Sequence, residues 1–389
     1  MASPFYTIIL PIIVAIVGVS IIHPKLVLVA IKKKIVDNPN ARKLNKQPVP
    51  VLGGVGVFFG LMFSLGVAGY FIPGINIPFE LIIAMLLMLY TGVGDDILGL
   101  SPALRFMVQI FTVCLMMFIC GIYIDDFHGL WGVYRLPLIL ACLLTIISCV
   151  GIINSINLID GVDGLCSGYG IFASLLFGIC FLGMGDISYA VLAFSVLGAL
   201  VPFMLHNIFG RRYKMFLGDG GSLVLGFICS LFVTRVIQSG YDVVSGSTVS
   251  FTLAVLSVPV FDTLRVMIAR ILQGRSPFSP DKTHLHHMFI ALGCSHVITA
   301  VNVIFVNALV VFIWYVCNLL HFTPELQLYV TILAGLMATS GLYYSVEFIR
   351  VKHPSFYAAL QGFVYKYVLR RTGFLLTLQK VLDGKRFLR

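Results

Sequence analysis

Apolar residues gather in runs of about twenty positions, and such runs recur along the whole chain, near residues 5–23, 52–72, 79–93, 103–123, 136–156, 164–182, 187–205, 221–238, 249–271, 297–319 and 326–348. Roughly 20 apolar residues are what a helix needs to cross the hydrocarbon core of a bilayer. Barrel strands would instead show short alternating segments, which are absent here. Because a helix satisfies its own backbone groups in lipid, the pattern predicts an all-α polytopic membrane protein, a bundle of about eleven transmembrane helices. The spans and the loops between them form one expected catalytic domain over residues 1–349, followed by a basic tail over 350–389. The first run has no basic segment ahead of it and further spans follow, so it reads as a membrane helix rather than a signal peptide.

Composition agrees. Hydrophobic residues make up 59% of the 389, and charged residues only 11%, against roughly 25% in soluble proteins. The nine cysteines are scattered without a CxxC pair. They suggest packing residues rather than a disulfide framework or a zinc cluster. The net charge of +10 is unevenly placed. Lys32, Lys33, Lys34, Arg42, Lys43 and Lys46 follow the first run, Arg211, Arg212 and Lys214 the seventh, and Arg270, Arg275 and Lys282 lie at the end of the ninth or beyond it. A further basic cluster occupies the tail, while the alternate loops offer little beyond Arg135 and Arg235. The positive-inside rule then puts the amino terminus outside and the carboxy terminus in the cytoplasm. Such loops are ordinary topology signals and do not indicate nucleic-acid binding. In the tail, Phe363, Tyr367, Phe374, Leu378 and Leu382 alternate with basic residues. This suits either a helix lying on the membrane surface or a tail drawn to anionic lipid.

With topology drawn from Lys and Arg, the remaining polar residues fall into four clusters, all on the cytoplasmic face. They are "GVGDDILGLSP" with Asp95 and Asp96, "NSINLIDGVDGL" with Asn157, Asp160 and Asp163, "FLGDGGSLVLGF" with Asp219, and "GRSPFSPDKTHLHHMF" with His284, His286 and His287. Ionisable groups at membrane helix ends are costly unless paired, hydrated or metal-bound, so this gathering suggests a site. Neighbours on a helix face different ways, so Asp95 and Asp96 should have different tasks. Asn157 and Asp160, three apart, can share a face, and Gly161 and Gly164 can turn Asp163 back toward it. Ser101 and Pro102 form a helix start that puts Arg105 in a first turn. Glycines around Asp219 permit a phosphate to approach a helix N-terminus.

Oxygen ligands suit Mg²⁺, with Mn²⁺ possible, and Mg²⁺ commonly joins one or two carboxylates to substrate phosphates. Histidines and basic loop residues such as Arg275 can neutralise the remaining phosphate charge. These residues imply metal-assisted phosphoryl transfer at the cytoplasmic surface. Rival readings are helix-capping aspartates, zinc held by the three histidines, and a transporter for an anionic solute. Transporter sites, however, tend to lie near the bilayer midplane.

At these motifs, from "DNPNARKLNKQPVPVLGG" through "HLHHMF", the chain resembles the polyprenyl-phosphate N-acetylhexosamine-1-phosphate transferases, relatives of the phospho-MurNAc-pentapeptide translocase. The resemblance implies an eleven-helix bundle in the bacterial inner membrane. It also implies transfer of a sugar 1-phosphate from a UDP-N-acetylhexosamine, most simply UDP-GlcNAc, to undecaprenyl phosphate, with release of UMP. That step initiates lipid-linked cell-surface polysaccharide synthesis. The resemblance assigns Asp95 and Asp96 to the catalytic pair, Asp219 to magnesium, and Asn157 to its assisting amide. Asp163 matches a uracil-recognising position, Phe216 an aromatic that stacks on uracil, and Asp160 the same nucleotide pocket. His284, His286 and His287 match a motif near the pyrophosphate and sugar, and Lys46 and Arg105 stand at positions often basic. "HLHH" and "GRSPFSPD" favour the HexNAc branch over a UDP-MurNAc-pentapeptide donor. Asn45, where many relatives have histidine, and Gly220, where Ala or Thr is usual, leave the exact sugar open, and a homodimer is left open too.

Overall fold

The computed structural model describes residues 5–38, 48–239, 247–277, 279, 282–366 and 374–384. Nearly everything described is helical. The helices are α1 (Leu10–Lys32), α2 (Gly53–Phe71), α3 (Phe79–Leu98), α4 (Pro102–Phe118), α5 (Leu138–Leu158), α6 (Leu165–Gly183), α7 (Ile187–Phe209) and α8 (Gly218–Ser239). There follow α9 (Thr248–Val255), α10 (Ser257–Leu272), α11 (Leu285–Ala291), α12 (His296–Leu319), α13 (Pro324–Leu336), α14 (Leu342–Lys352), α15 (Pro354–Lys366) and α16 (Phe374–Leu382). A π-turn, Met337–Gly341, joins α13 to α14. The only described sheet is a two-residue pairing of β1 (Val36–Asp37) with β2 (Val49–Pro50).

Among the described residues nine helices are long and apolar enough to span a membrane, and the bent pair α9–α10 makes a tenth. The chain is a multi-pass membrane protein. Each of the eleven apolar runs is helical, but two differ from a simple span. The run expected over 103–123 yields α4, a shorter helix that ends at Phe118. Gly121 (φ 68°) then carries the chain through a left-handed turn. The run expected over 249–271 breaks at Leu256 into α9 and α10, bent by 74°. Asn307, fully buried on α12, satisfies the polar groups freed at that break. Its Oδ1 accepts from Ser257 Oγ and Val258 N–H (both 2.9 Å), and its Nδ2 donates to the carbonyls of Ala254 (3.3 Å) and Val255 (3.0 Å). A neighbouring helix that satisfies the freed backbone groups in this way makes a broken helix tolerable in a membrane.

The chain divides into two compact units: Met1–Tyr123, Cys142–Phe232 and Arg371–Arg389 form the first, and Ile124–Ala141 with Val233–Arg370 the second. In the first unit α1, α2, α6 and α7 pack together. Ser64 of α2 donates to the Pro11 carbonyl and shares a hydrogen bond with Ser195 of α7, each at 2.8 Å. Helix α16 rests on α7, and Asp383 just beyond it accepts from the backbone N–H groups of Arg211 and Arg212 (2.9–3.1 Å). The tail, expected as either a surface helix or a segment drawn to anionic lipid, is helical over α15 and α16. In the second unit α12 packs with α9, α10 and α13.

Candidate active site

Helix α3 continues to Leu98, past the end of its apolar run, so Asp95 and Asp96 occupy its last turn rather than a loop. Gly99 (φ 67°) closes the helix with its N–H on the Asp95 carbonyl. Ser101 then caps α4, accepting from Leu104 N–H at 3.3 Å, which places Arg105 in the first turn as the sequence predicts. Asp95 is engaged on both oxygens: Arg105 Nη1 donates to Oδ2 (2.6 Å) and Leu100 N–H to Oδ1 (2.7 Å). Asp96 accepts a longer bond from Gly220 N–H, at 3.4 Å. The two carboxylates therefore differ in their partners. Asp95 ties α3 to the start of α4, and Asp96 addresses the start of α8.

Asp219 is held at the N-terminus of α8 by close backbone approach. Gly92 of α3 lies so near the carbonyl of Asp219 that any Cβ there would overlap it, and Gly54 of α2 meets the N–H of Gly221 in the same way. The segment leading to Asp219 is paired to the start of α2. Phe216 N–H donates to the Pro50 carbonyl (2.8 Å), Gly53 N–H to the Phe216 carbonyl (3.0 Å), and Gly54 N–H to the Leu217 carbonyl (2.8 Å). Asn157, in the last turn of α5, donates Nδ2 to Asp219 Oδ1 and to Ser222 Oγ, each at 2.8 Å. Arg105 Nη1 stands 3.8 Å from Asp219 Oδ2, so one guanidinium serves Asp95 and Asp219 together.

Asp160 lies half-buried in the turn between α5 and α6. Burial foremost, then the charges of Asp219, Asp96 and Asp163, push its carboxyl up to about 8. Around it negative charge is under-compensated. Asp163, one turn on, is paired with Lys214 Nζ at 2.6 Å, and that ammonium lies 5.6 Å from the centre of the Phe216 ring. Gly164 (φ 78°) opens α6, and its N–H donates to Asn207 Oδ1 at 2.7 Å. Asn207 Nδ2 donates in turn to the Met215 carbonyl at 2.9 Å, fixing the strap that carries Lys214 and Phe216.

The donor set suits a small hard cation. Among the described residues no three His, Cys, Asp or Glu side chains form a metal cage. Mg²⁺ does not require one, since it usually takes one or two carboxylates and fills its shell with phosphates and water. Asp219 and Asp96 supply such carboxylates at a helix start, where a phosphate is also favoured.

The histidine motif belongs to the second unit. His284 and His286 are buried on α11 and its cap, with rings 5.8 Å apart and nearly parallel, and His287 lies 4.3 Å from His286. Burial, with His287 and His284 adding to it, drives His286 down to about 3, so its ring is neutral. Arg275 is exposed in the turn after α10. Lys46 lies outside the described residues. Lys214, Asn207, Ser222, Asp262 and Arg265 were not picked out from the sequence as site residues. For Asp262 and Arg265 the available signal was two ionisable groups inside an apolar run.

Residues 79–237, which include Asp95, Asp96, Asn157, Asp160, Asp163 and Asp219, match Glycosyl transferase family 4. The chain is 30% identical over 300 residues to the undecaprenyl-phosphate alpha-N-acetylglucosaminyl 1-phosphate transferase of Salmonella typhi, covering 76% of this chain and 80% of that one. It is 31% identical over 301 residues to the Yersinia pestis protein of the same name, with the same coverage. Identity is 32% over 288 residues to a probable undecaprenyl-phosphate N-acetylglucosaminyl 1-phosphate transferase of Bacillus subtilis, covering 73% of this chain and 77% of that one. With its membrane helices, its carboxylate cluster and these relatives in agreement, the chain belongs to glycosyl transferase family 4.

Proposed function

We propose that the protein transfers N-acetylglucosamine 1-phosphate from UDP-GlcNAc to undecaprenyl phosphate and releases UMP. The observation that carries this reading is the convergence of Asp96, Asn157, Asp160 and Asp219, with Arg105, on the N-terminus of α8. An oxygen of the lipid phosphate attacks the β-phosphorus of the donor. The bond from that phosphorus to the bridging oxygen breaks, and its electron pair leaves with UMP. Mg²⁺, when bound, supplies charge stabilisation to the pyrophosphate and the departing oxygen. Asp219, held by Asn157, and Asp96 are the residues that would hold it. Asp96 also orients the lipid phosphate. A phosphate monoester has a second pKa of about 6, so no strong base is needed at neutral pH. Lys214 and Phe216 offer a cation and an aromatic face beside Asp163, which suits a uracil ring. Arg105 balances charge as the pyrophosphate divides. The histidine motif, following the family resemblance, handles phosphate oxygens.

The test is purified protein in detergent with Mg²⁺ and UDP-GlcNAc. UMP should appear only when undecaprenyl phosphate is added. A lipid-independent burst of one UMP per protein would replace direct displacement with a phosphosugar–aspartate intermediate.

The site and the carboxy terminus face the cytoplasm of a bacterial inner membrane, where UDP-sugars are made. Exposed Arg211 and Arg212 beyond α7 and the basic end of α1 support this orientation. The native cysteines are all buried or half-buried, so introduced cysteines can report it. Asp125→Cys should react with an impermeant thiol reagent in intact cells, and Lys282→Cys only after the membrane is opened. The reverse labelling would contradict the orientation.

A further inference from the structure

Asp262 and Arg265 sit three residues apart on α10, 2% and 6% exposed, and have no part in the reaction as described so far. A buried ion pair is costly unless its remaining groups are also satisfied. Here they are. Arg265 donates Nε (3.1 Å) and Nη2 (2.6 Å) to Asp262 Oδ1, and Nη2 also reaches the Thr283 carbonyl (2.6 Å). Its guanidinium lies 3.9 Å from the centre of the Tyr343 ring. Leu285 N–H, at the start of α11, donates to both carboxylate oxygens (3.2 and 3.1 Å). The last contact is His284 Nδ1, 2.9 Å from Asp262 Oδ2. The other groups around this carboxylate can only donate, and the carboxylate can only accept. The hydrogen between them therefore belongs to Nδ1. The opposite ring atom, His284 Nε2, is buried and has no hydrogen-bond partner among the described residues.

We propose that Asp262, clamped by Arg265, is a positioning residue for His284. It fixes the ring's hydrogen on Nδ1 and leaves Nε2 as the atom that meets a phosphate-bearing ligand. When a phosphate oxygen arrives, the ring takes one proton from solvent at Nε2. The resulting imidazolium donates to the phosphate through Nε2–H and to Asp262 through Nδ1–H. Outer partners of this kind set the tautomer and orientation of working histidines. The proposal rests on the reading that the histidine motif handles phosphate oxygens.

Protein labelled with ¹⁵N-histidine tests it, with His284→Gln identifying the signals. Nδ1 of His284 should be protonated in the resting wild type, and a bare Nδ1 would overturn the proposal even if every variant proved unstable. In Asp262→Asn the single amide oxygen goes to the obligate donors Arg265 and Leu285 N–H, so the amide NH₂ faces Nδ1 and the hydrogen moves to Nε2. Turnover should then fall by about 10²–10⁴, the scale of a wrong-tautomer defect, with the change in kcat rather than in the KM for UDP-GlcNAc. Asp262→Asn combined with His284→Gln should be no slower than His284→Gln alone, because both act through one ring. A further loss in the double variant would mean that Asp262 acts structurally. The underlying reading fails separately: near-wild-type turnover by His284→Gln would remove the motif from the reaction, whatever the state of Nδ1.

Discussion

Asp219→Asn should remain folded in detergent and lose turnover by about 10²–10³ or more, the usual scale for removing one preorganised electrostatic contact at a reacting phosphate. The substitution is nearly isosteric and removes one unit of negative charge. It leaves in place the close packing of Gly92 and Gly54 against the start of α8, which does not involve the side chain. Asn157 already donates to Oδ1, so the new amide can turn its oxygen toward Asn157 and keep that bond. Its NH₂ then occupies the place where a cation would sit, and an amide is a poor ligand for Mg²⁺ in any case. Raising Mg²⁺ should recover part of the loss if binding is the step affected. The measurement is UMP release across a Mg²⁺ titration. Near-wild-type activity at limiting Mg²⁺ would show that Asp219 is not the principal ligand.

The second large effect separates two adjacent residues. Asp96→Asn should lose turnover by about 10²–10³ while the melting temperature stays close to that of the wild type. Its carboxylate is held by backbone N–H groups at the start of α8, the contact with Gly220 N–H being long, and an amide oxygen can accept in its place, so little stabilisation is lost. Asp95→Asn should invert the balance. It weakens the bonds from Arg105 and Leu100 N–H that join α3 to α4, and a poorly satisfied buried group costs about 1–3 kcal/mol. Its melting temperature should drop and its activity should fall less than that of Asp96→Asn. Arg105→Ala should resemble Asp95→Asn in stability, and the double variant should be scarcely worse than either single one. A stable Asp95→Asn that is as inactive as Asp96→Asn would contradict this division of labour.

Much of this architecture is legible in the chain because lipid enforces a simple rule. A run of apolar residues must close its own hydrogen bonds, so each run became a helix. Local chemistry was legible as well: Ser101–Pro102 starts α4, and Gly164 opens α6 in a left-handed conformation. Long-range pairing was not. Nothing local to Asn307 announces that it will satisfy a break in a helix some fifty positions earlier. The 74° bend at Leu256 was therefore invisible inside an unbroken apolar run. Asp95 and Asp96 could be marked as different, but only the approach of Arg105 and Gly220 shows how they differ. Lys214 looked like a topology signal until the strap over residues 213–217 set it against Asp163 and Phe216. Asp262 and Arg265 were two charges in a span without a partner in sequence. Their purpose depends on His284 reaching back to them.

In the proposed transfer the β-phosphorus of the donor travels with the sugar, so a label at that atom reports the reaction. UDP-GlcNAc carrying ³²P in its β-phosphate is incubated with the purified protein, Mg²⁺ and undecaprenyl phosphate, and the lipid and aqueous phases are counted. The label should move into the lipid phase together with GlcNAc, and the nucleotide left in water should be unlabelled UMP. Label retained in aqueous UDP, with GlcNAc alone on the lipid, would show ordinary glycosyl transfer and contradict the account.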